Sequence, residues 1–145
     1  MGKGMTVIVK TIARLIAGFI FLYGLYIVLH GHLTPGGGFA GGVIIAGSFI
    51  LLILAFGAQE MGEKMLYRFT AVFESLGALS FLLLALLGLI AGFYFFLNLF
   101  PKGTPLHLIS SGIILPANIA IGVKVGAGLL AVFLALAATK FLMEE

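Results

Sequence analysis

Four long apolar runs separated by short polar interruptions set the pattern of this chain. None alternates with the period of two that marks a strand, and each approaches or exceeds the ~20 residues a membrane-crossing helix needs. The first follows Lys10 and Arg14, which are four apart and share a helical face from which their stems can snorkel. It predicts a span over about 15–29. A cleaved signal peptide also begins basic and turns apolar, but no small-residue cleavage site follows here, so the run reads as a retained span. The second span is expected over 39–58, free of charged residues and about 30 Å long as a helix. Gln59 to Arg68 reads as a short charged loop. The third run, Phe69 to Phe100, is interrupted only by Glu74, and its predicted span over 69–99 is long enough to be tilted, bent or partly outside the bilayer. Pro101 to Pro116 begins as a polar turn and becomes apolar over Leu108 to Leu115, which suits packing on the membrane surface or dipping back against protein. A fourth span over 119–139 carries Lys124. The fold class is therefore all-α integral membrane with four transmembrane helices.

One stretch breaks the pattern hardest. His30 to Gly42, HGHLTPGGGFAGG, holds two of the three histidines, one of the four prolines and six of the 21 glycines. Pro35 lacks a backbone donor, while Gly36, Gly37 and Gly38 permit positive φ and close backbone approach. The chain turns or unwinds here, between the first and second spans and before Phe39. A tight turn outside the membrane satisfies this composition. A broken-helix element whose freed N–H and C=O groups line a polar cavity does so equally.

Composition strengthens the membrane assignment. The chain is 62% apolar and 9% charged, against about 45–50% and 25% in soluble domains. Cysteine is absent, which excludes disulfides, thiolate-bound metals and cysteine-ligated iron–sulfur clusters within the chain. The net charge of +3 is spread over the span ends, with no basic cluster interleaved with aromatics, so no nucleic acid is expected as a partner. Lys3, Lys10, Arg14, Lys64, Arg68 and Lys140 fall on one side of the expected spans and Lys102 alone on the other. That asymmetry predicts both termini in the cytoplasm and the glycine-rich stretch at the outer face of the cell membrane.

Ionisable groups inside spans are the candidate chemistry, because an unpaired charge there costs several kcal/mol. Glu74 lies about 9 Å inside the expected cytoplasmic edge, too deep for a short side chain to reach the headgroups. It suits a proton-relay station, or a carboxylate held by a helix N-terminus and nearby Arg68 or Lys64. Lys124 lies a similar distance inside the outer edge and could snorkel. Counted from opposite faces, the two fall ~12 Å apart in depth, so staggered stations along one path are expected rather than a direct pair. His30 and His32 do not share a helical face and have no third ligand at metal spacing. They suit a proton entrance, or simply an interfacial position, and His107 is similar. No catalytic constellation, phosphate-binding loop, cofactor site or metal site is evident. Gly38/Gly42, Gly88/Gly92 and Gly122/Gly126 offer three small-residue contact faces, which points to other membrane helices as partners within the lipid bilayer.

His-Gly-His-x-x-Pro-Gly-Gly-Gly-Phe-x-Gly-Gly after an apolar helix resembles the signature of the MnhB/MrpB family, a small membrane component of the Mrp-type multisubunit Na+/H+ antiporters. The same component recurs in archaeal energy-converting hydrogenases and related sulfur-reducing complexes. Ser111 to Val125, SGIILPANIAIGVKV, is similar to the family's loop-to-last-helix segment, and the family's four-helix layout matches the spans above. The resemblance implies one membrane domain over 1–145, a non-catalytic subunit beside antiporter-like subunits, and a contribution to moving Na+ or H+. It implies that Pro35, Gly36, Gly37, Gly38 and Phe39 shape the break, that Lys124 fills the last-helix ionisable position, and that Glu74 faces the complex. The lack of cysteine and the Asn118–Gly128 segment look more like the archaeal hydrogenase or sulfur-reductase modules than stand-alone antiporters. A helical scaffold subunit with no ion path of its own is the alternative. A homomeric channel would place rings of Lys124 in the membrane without evident counter-charges.

Overall fold

The computed structural model describes residues 5–58, 61–92 and 94–142; Lys3, one of the cations that set the expected orientation, lies outside them. It is all-α: α1 spans Val7–Leu29, α2 Gly37–Phe56, α3 Glu63–Ile90 and α4 Ile114–Leu142. Each is long and apolar enough to cross a membrane, and no strand occurs among the described residues. Their 20 to 29 residues correspond to about 30–44 Å of helix.

The helix boundaries follow from local chemistry. Gly36 and Gly37, at φ 135° and 82°, take backbone conformations that side chains resist, and α2 begins there, directly after Pro35. Pro116 falls in the first turn of α4, where its missing N–H costs no intrahelical bond. Two boundaries differ from the hydropathy reading. The charged segment before the third span is mostly helical: α3 starts at Glu63, so Lys64 and Arg68 ride on its first two turns. Both are good helix formers that can sit at the interface without breaking the helix. At the other end, α3 stops at Ile90 although the apolar run continues.

The remaining apolar residues double back along α3 instead of extending it. Phe96 N–H donates to the Ala85 carbonyl at 3.1 Å, and the Phe81 and Phe96 rings lie 5.3 Å apart. Gly88, expected to form a helix-contact face with Gly92, receives this returning chain: a Cβ there would overlap the Tyr94 carbonyl oxygen. Hydropathy alone therefore cannot place the helix end: the returning segment is as apolar as another helical turn, yet Tyr94, Phe95, Phe96, Leu99 and Phe100 all remain exposed in it. Asn98 pins the return. Its Oδ1 accepts from Ile113 N at 3.0 Å and from Phe100 N at 3.3 Å, just before α4 starts. Because Ile113 is buried, Asn98→Leu strands its N–H, a cost of about 1–3 kcal/mol. Hydrogen–deuterium exchange over residues 94–113 is expected to accelerate about ten-fold or more. Unchanged exchange would mean that Asn98 does not hold the segment.

The helices form an open row in the order α1, α2, α4, α3. Antiparallel α1 and α2 meet at Gly24 and Gly41, where a Cβ on Gly24 would stand 2.8 Å from Ile45 Cγ1. Parallel α2 and α4 meet along Gly38 and Gly42 on one side and Asn118, Gly122 and Gly126 on the other. Ile53, Leu130 and Leu134 form an apolar core farther along the same pair. With almost no apolar driving force between helices in lipid, such close backbone approach is what gains dispersion energy. Thr70 and Ser48, both buried, satisfy their hydroxyls within their own helices through Tyr67 and Ile45 carbonyls. Because the row is not closed, α1 and α3 are edges, and α3 buries the smallest share of its span.

Candidate functional site

The register of α3 on α4 decides what Glu74 and Lys124 can do. Gly77 lies directly against α4: a Cβ there would stand 2.7 Å from Lys124 N and 2.9 Å from the Ala120 carbonyl oxygen. One turn earlier, Glu74 projects over Gly128, its Oε1 3.7 Å from where that residue's Cβ would be. The two glycines thus let the helices close to near contact and leave space for the acid. Lys124 Nζ then reaches Glu74 Oε1 at 3.4 Å.

This overturns the expectation of separate stations ~12 Å apart in depth. That count placed the start of each span at opposite membrane faces. In the structure α3 and α4 are staggered, because the chain doubles back past Ala85 before α4 begins. The lysine stem covers what offset remains. Glu74 lies 11 residues after Glu63 and 16 before Ile90, about 16 Å and 24 Å from the two helix ends. Lys124 lies 10 residues after Ile114 and 18 before Leu142, so both charges sit in the middle stretch of their helices.

The pair is not enclosed by its own chain. The Glu74 and Lys124 side chains are 42% and 48% exposed. Their single contact occupies one of three ammonium donors and one site on a carboxylate that can accept about four bonds. Chemically it is a pair of opposite charges at mid-span whose remaining hydrogen-bonding capacity faces outward. That arrangement can exchange protons or partners with whatever lies against the α3–α4 face.

The histidines form a separate group. His30 stacks on Tyr26, ring centroids 4.1 Å apart, with Nδ1 3.1 Å from the Tyr26 carbonyl oxygen. His32 Nε2 stands 3.3 Å from the His107 carbonyl oxygen and so donates to it, which joins the first connection to the third. His32 Nδ1 and Ser111 Oγ are each buried without a hydrogen-bond partner among the described residues. Pro35, Gly36 and Phe39 are not buried, while Gly37 and Gly38 are. Gly38 N–H donates to Asn118 Oδ1 at 3.4 Å, so the glycine-rich segment is fastened to the first turn and a half of α4. Asn118 lies six residues before Lys124, about 9 Å along the helix. The structure therefore brings together Glu74 with Lys124 and His32 with His107, but not the two pairs with each other. Gly77, Gly128 and Asn118 are the residues that sequence reasoning left without a role. The spacing was available: Gly77 and Gly128 stand three and four residues after Glu74 and Lys124, on the same helical faces.

Four apolar helices carrying an ion pair at mid-span define a multi-pass membrane protein. Residues 8–131 match the family of domains related to the MnhB subunit of Na+/H+ antiporter, and the chain belongs to that family. It is 38% identical over 148 aligned residues to an uncharacterised protein of Methanocaldococcus jannaschii, covering 97% of this chain and 55% of the relative. It is also 38% identical over 63 residues to the mnhB2 protein of Staphylococcus aureus, named as a putative antiporter subunit, covering 43% of this chain and 45% of that protein. Among solved structures, a chain of the membrane-bound sulfane sulfur reductase, an archaeal respiratory membrane complex, superposes with a TM-score of 0.76 at 36% identity. That match covers 90% of this chain and 57% of the other. The chain thus spans about half the length of the relatives it matches.

Proposed function

We propose that this chain is a small, non-catalytic membrane subunit of a multisubunit cation/proton antiporter module, housed in an archaeal energy-converting hydrogenase or sulfur-reducing respiratory complex. Residues 1–145 act as one membrane domain, with both termini in the cytoplasm. One observation carries the reading: Glu74 and Lys124 lie at mid-span with nearly half of each side chain uncovered. Acyl chains cannot fill their open hydrogen-bonding sites, so another subunit or a water-filled path must. In this reading the pair lines the route of Na+ or H+. His30 and His32 stand near its outer entrance, and Pro35, Gly36, Gly37, Gly38 and Phe39 shape the break beside it. Membership of the MnhB-related family and the fold shared with a respiratory-complex subunit support the same assignment.

A scaffold role is the second reading, favoured by the fact that the two charges already meet within the chain. Gentle detergent extraction of a tagged copy from its native membrane, followed by mass spectrometry, tests the assembly. Antiporter-like membrane subunits are expected to co-elute, and a nickel–iron or sulfur-reducing arm among them identifies the branch. Recovery of this chain only with copies of itself sinks the proposal. The chain has no cysteine of its own, so single cysteines report orientation directly. An impermeant maleimide added outside is expected to label Thr104→Cys and not Gly62→Cys; the reverse pattern rejects the topology.

A further inference from the structure

The backbone around Glu74 and Lys124 bears on which ion the pair can serve. α3 runs as unbroken helix from Glu63 to Ile90 and α4 from Ile114 to Leu142. Every carbonyl at mid-span is therefore bonded within its own helix. Side-chain oxygens are as scarce. Between Asn118 and Thr139, Lys124 is the single polar side chain of α4, and α2 offers Ser48 alone. Thr70, one turn before Glu74 on the same face of α3, is buried and donates to the Tyr67 carbonyl at 2.9 Å. Ser75 donates to the Ala71 carbonyl at 2.8 Å and Ser48 to that of Ile45.

An alkali cation that sheds water needs several oxygens to replace its hydration shell, and transport proteins supply them from unwound backbone. Here it would meet one carboxylate, with the Lys124 ammonium already 3.4 Å from Glu74 Oε1 and repelling it. A proton has no such requirement, since one lone pair on a carboxylate or an amine holds it. The surrounding charges do not alter this balance. α2 carries no charged residue, and on α3 and α4 no third charge lies within a turn of either partner. Arg68 is six residues before Glu74, about 9 Å along the axis, while Lys10 and Arg14 lie against Phe56 at the far end of α2.

We propose that the Glu74–Lys124 pair carries protons and excludes Na+, so that any metal ion crosses elsewhere in the assembly. This role rests on the proposed ion path and narrows it to one ion. Lys124 passes a proton to the Glu74 oxygen it faces, leaving a neutral amine and a carboxylic acid. Glu74 then releases that proton to water or to a carboxylate of a neighbouring subunit. Lys124 regains one from water on the opposite side. The pair ends as it began and one proton has moved. Its net charge departs from zero by one unit only between release and recovery.

The first test uses dicyclohexylcarbodiimide, an apolar reagent that adds to protonated carboxyls, on the intact complex in native membranes. Labelling of Glu74, read by peptide mass spectrometry, is expected to rise as the pH falls. It is expected to be unchanged when Na+ replaces choline at equal ionic strength. A Na+ site filled at ten times its Kd would slow labelling about ten-fold, and such protection overturns the proposal. Labelling that ignores pH overturns it as well. The second test compares Glu74→Gln with the wild type in vesicles, per assembled complex. Proton movement is expected to fall at least about ten-fold, while isotopic Na+–Na+ exchange continues at the wild-type rate. Loss of both fluxes overturns the proton assignment and leaves the ion path standing, whereas survival of both rejects the path itself.

Discussion

Gly42→Ala is expected to destabilise the protein by about 1–3 kcal/mol, the usual cost of forcing extra volume into a packed contact. The added methyl would stand 2.7 Å from the Gly122 carbonyl oxygen, 3.0 Å from Val125 Cβ and 3.2 Å from Gly126 N. Two of those three are backbone atoms, which cannot swing aside as a side chain would. Relief requires α2 and α4 to separate, and their other contacts, at Gly38 with Asn118 and at the Ile53–Leu134 core, loosen together. The control lies five residues away in the same helix. Gly47 has nothing within 4 Å of a Cβ position, so Gly47→Ala adds the same methyl without a clash. It also removes the conformational freedom of glycine, about 1 kcal/mol in a helix. Its effect is therefore neutral to stabilising within this chain, opposite in sign to that of Gly42→Ala. Thermal denaturation of the two variants in one detergent isolates packing from propensity. Equal melting temperatures would mean that the α2–α4 contact does not depend on close backbone approach.

The small-residue spacing at Gly38, Gly42, Gly122 and Gly126 made this contact legible in the sequence, because such a spacing has few other uses in an apolar helix. The four spans were legible for a similarly blunt reason, that only helices satisfy their backbone in hydrocarbon. Tyr94 to Phe100 was misread on the same logic. Its residues are apolar enough for a span, and nothing local distinguishes another helical turn from a return along α3, which Gly88 and Asn98 decide through tertiary contacts. The ion pair was lost with it. Glu74 and Lys124 were each recognisable as charges in spans, but their meeting depends on the stagger of α3 against α4, a tertiary quantity that boundary counting cannot supply. Asn118 illustrates the remaining limit: an amide at the start of a helix reads as an ordinary polar residue until the helix beside it proves to begin with an uncapped glycine N–H.

The largest functional effect is expected from the pair itself, and the order of variants matters more than any one. Glu74→Leu leaves the Lys124 ammonium without its partner at mid-span, where an unpaired cation costs about 2.5–3.5 kcal/mol. The complex is expected to assemble poorly. Adding Lys124→Leu removes the orphaned charge, and assembly is expected to recover most of that loss, since two well-packed apolar residues often replace a buried pair at little cost. Glycine seats at Gly77 and Gly128 leave room for this exchange. What the double variant cannot recover is a group that gains and releases protons or coordinates a passing cation. Ion-driven pH changes in vesicles holding the intact complex are therefore expected to vanish in Glu74→Leu/Lys124→Leu despite normal assembly. Glu74→Gln, which keeps shape and hydrogen bonding but not charge, is expected to show the same loss. If the double variant assembles and transports as the wild type does, Glu74 and Lys124 hold the subunit to its neighbour and the ion passes elsewhere. The apolar pair thus separates a path from a scaffold, because it restores the contact without restoring the charge.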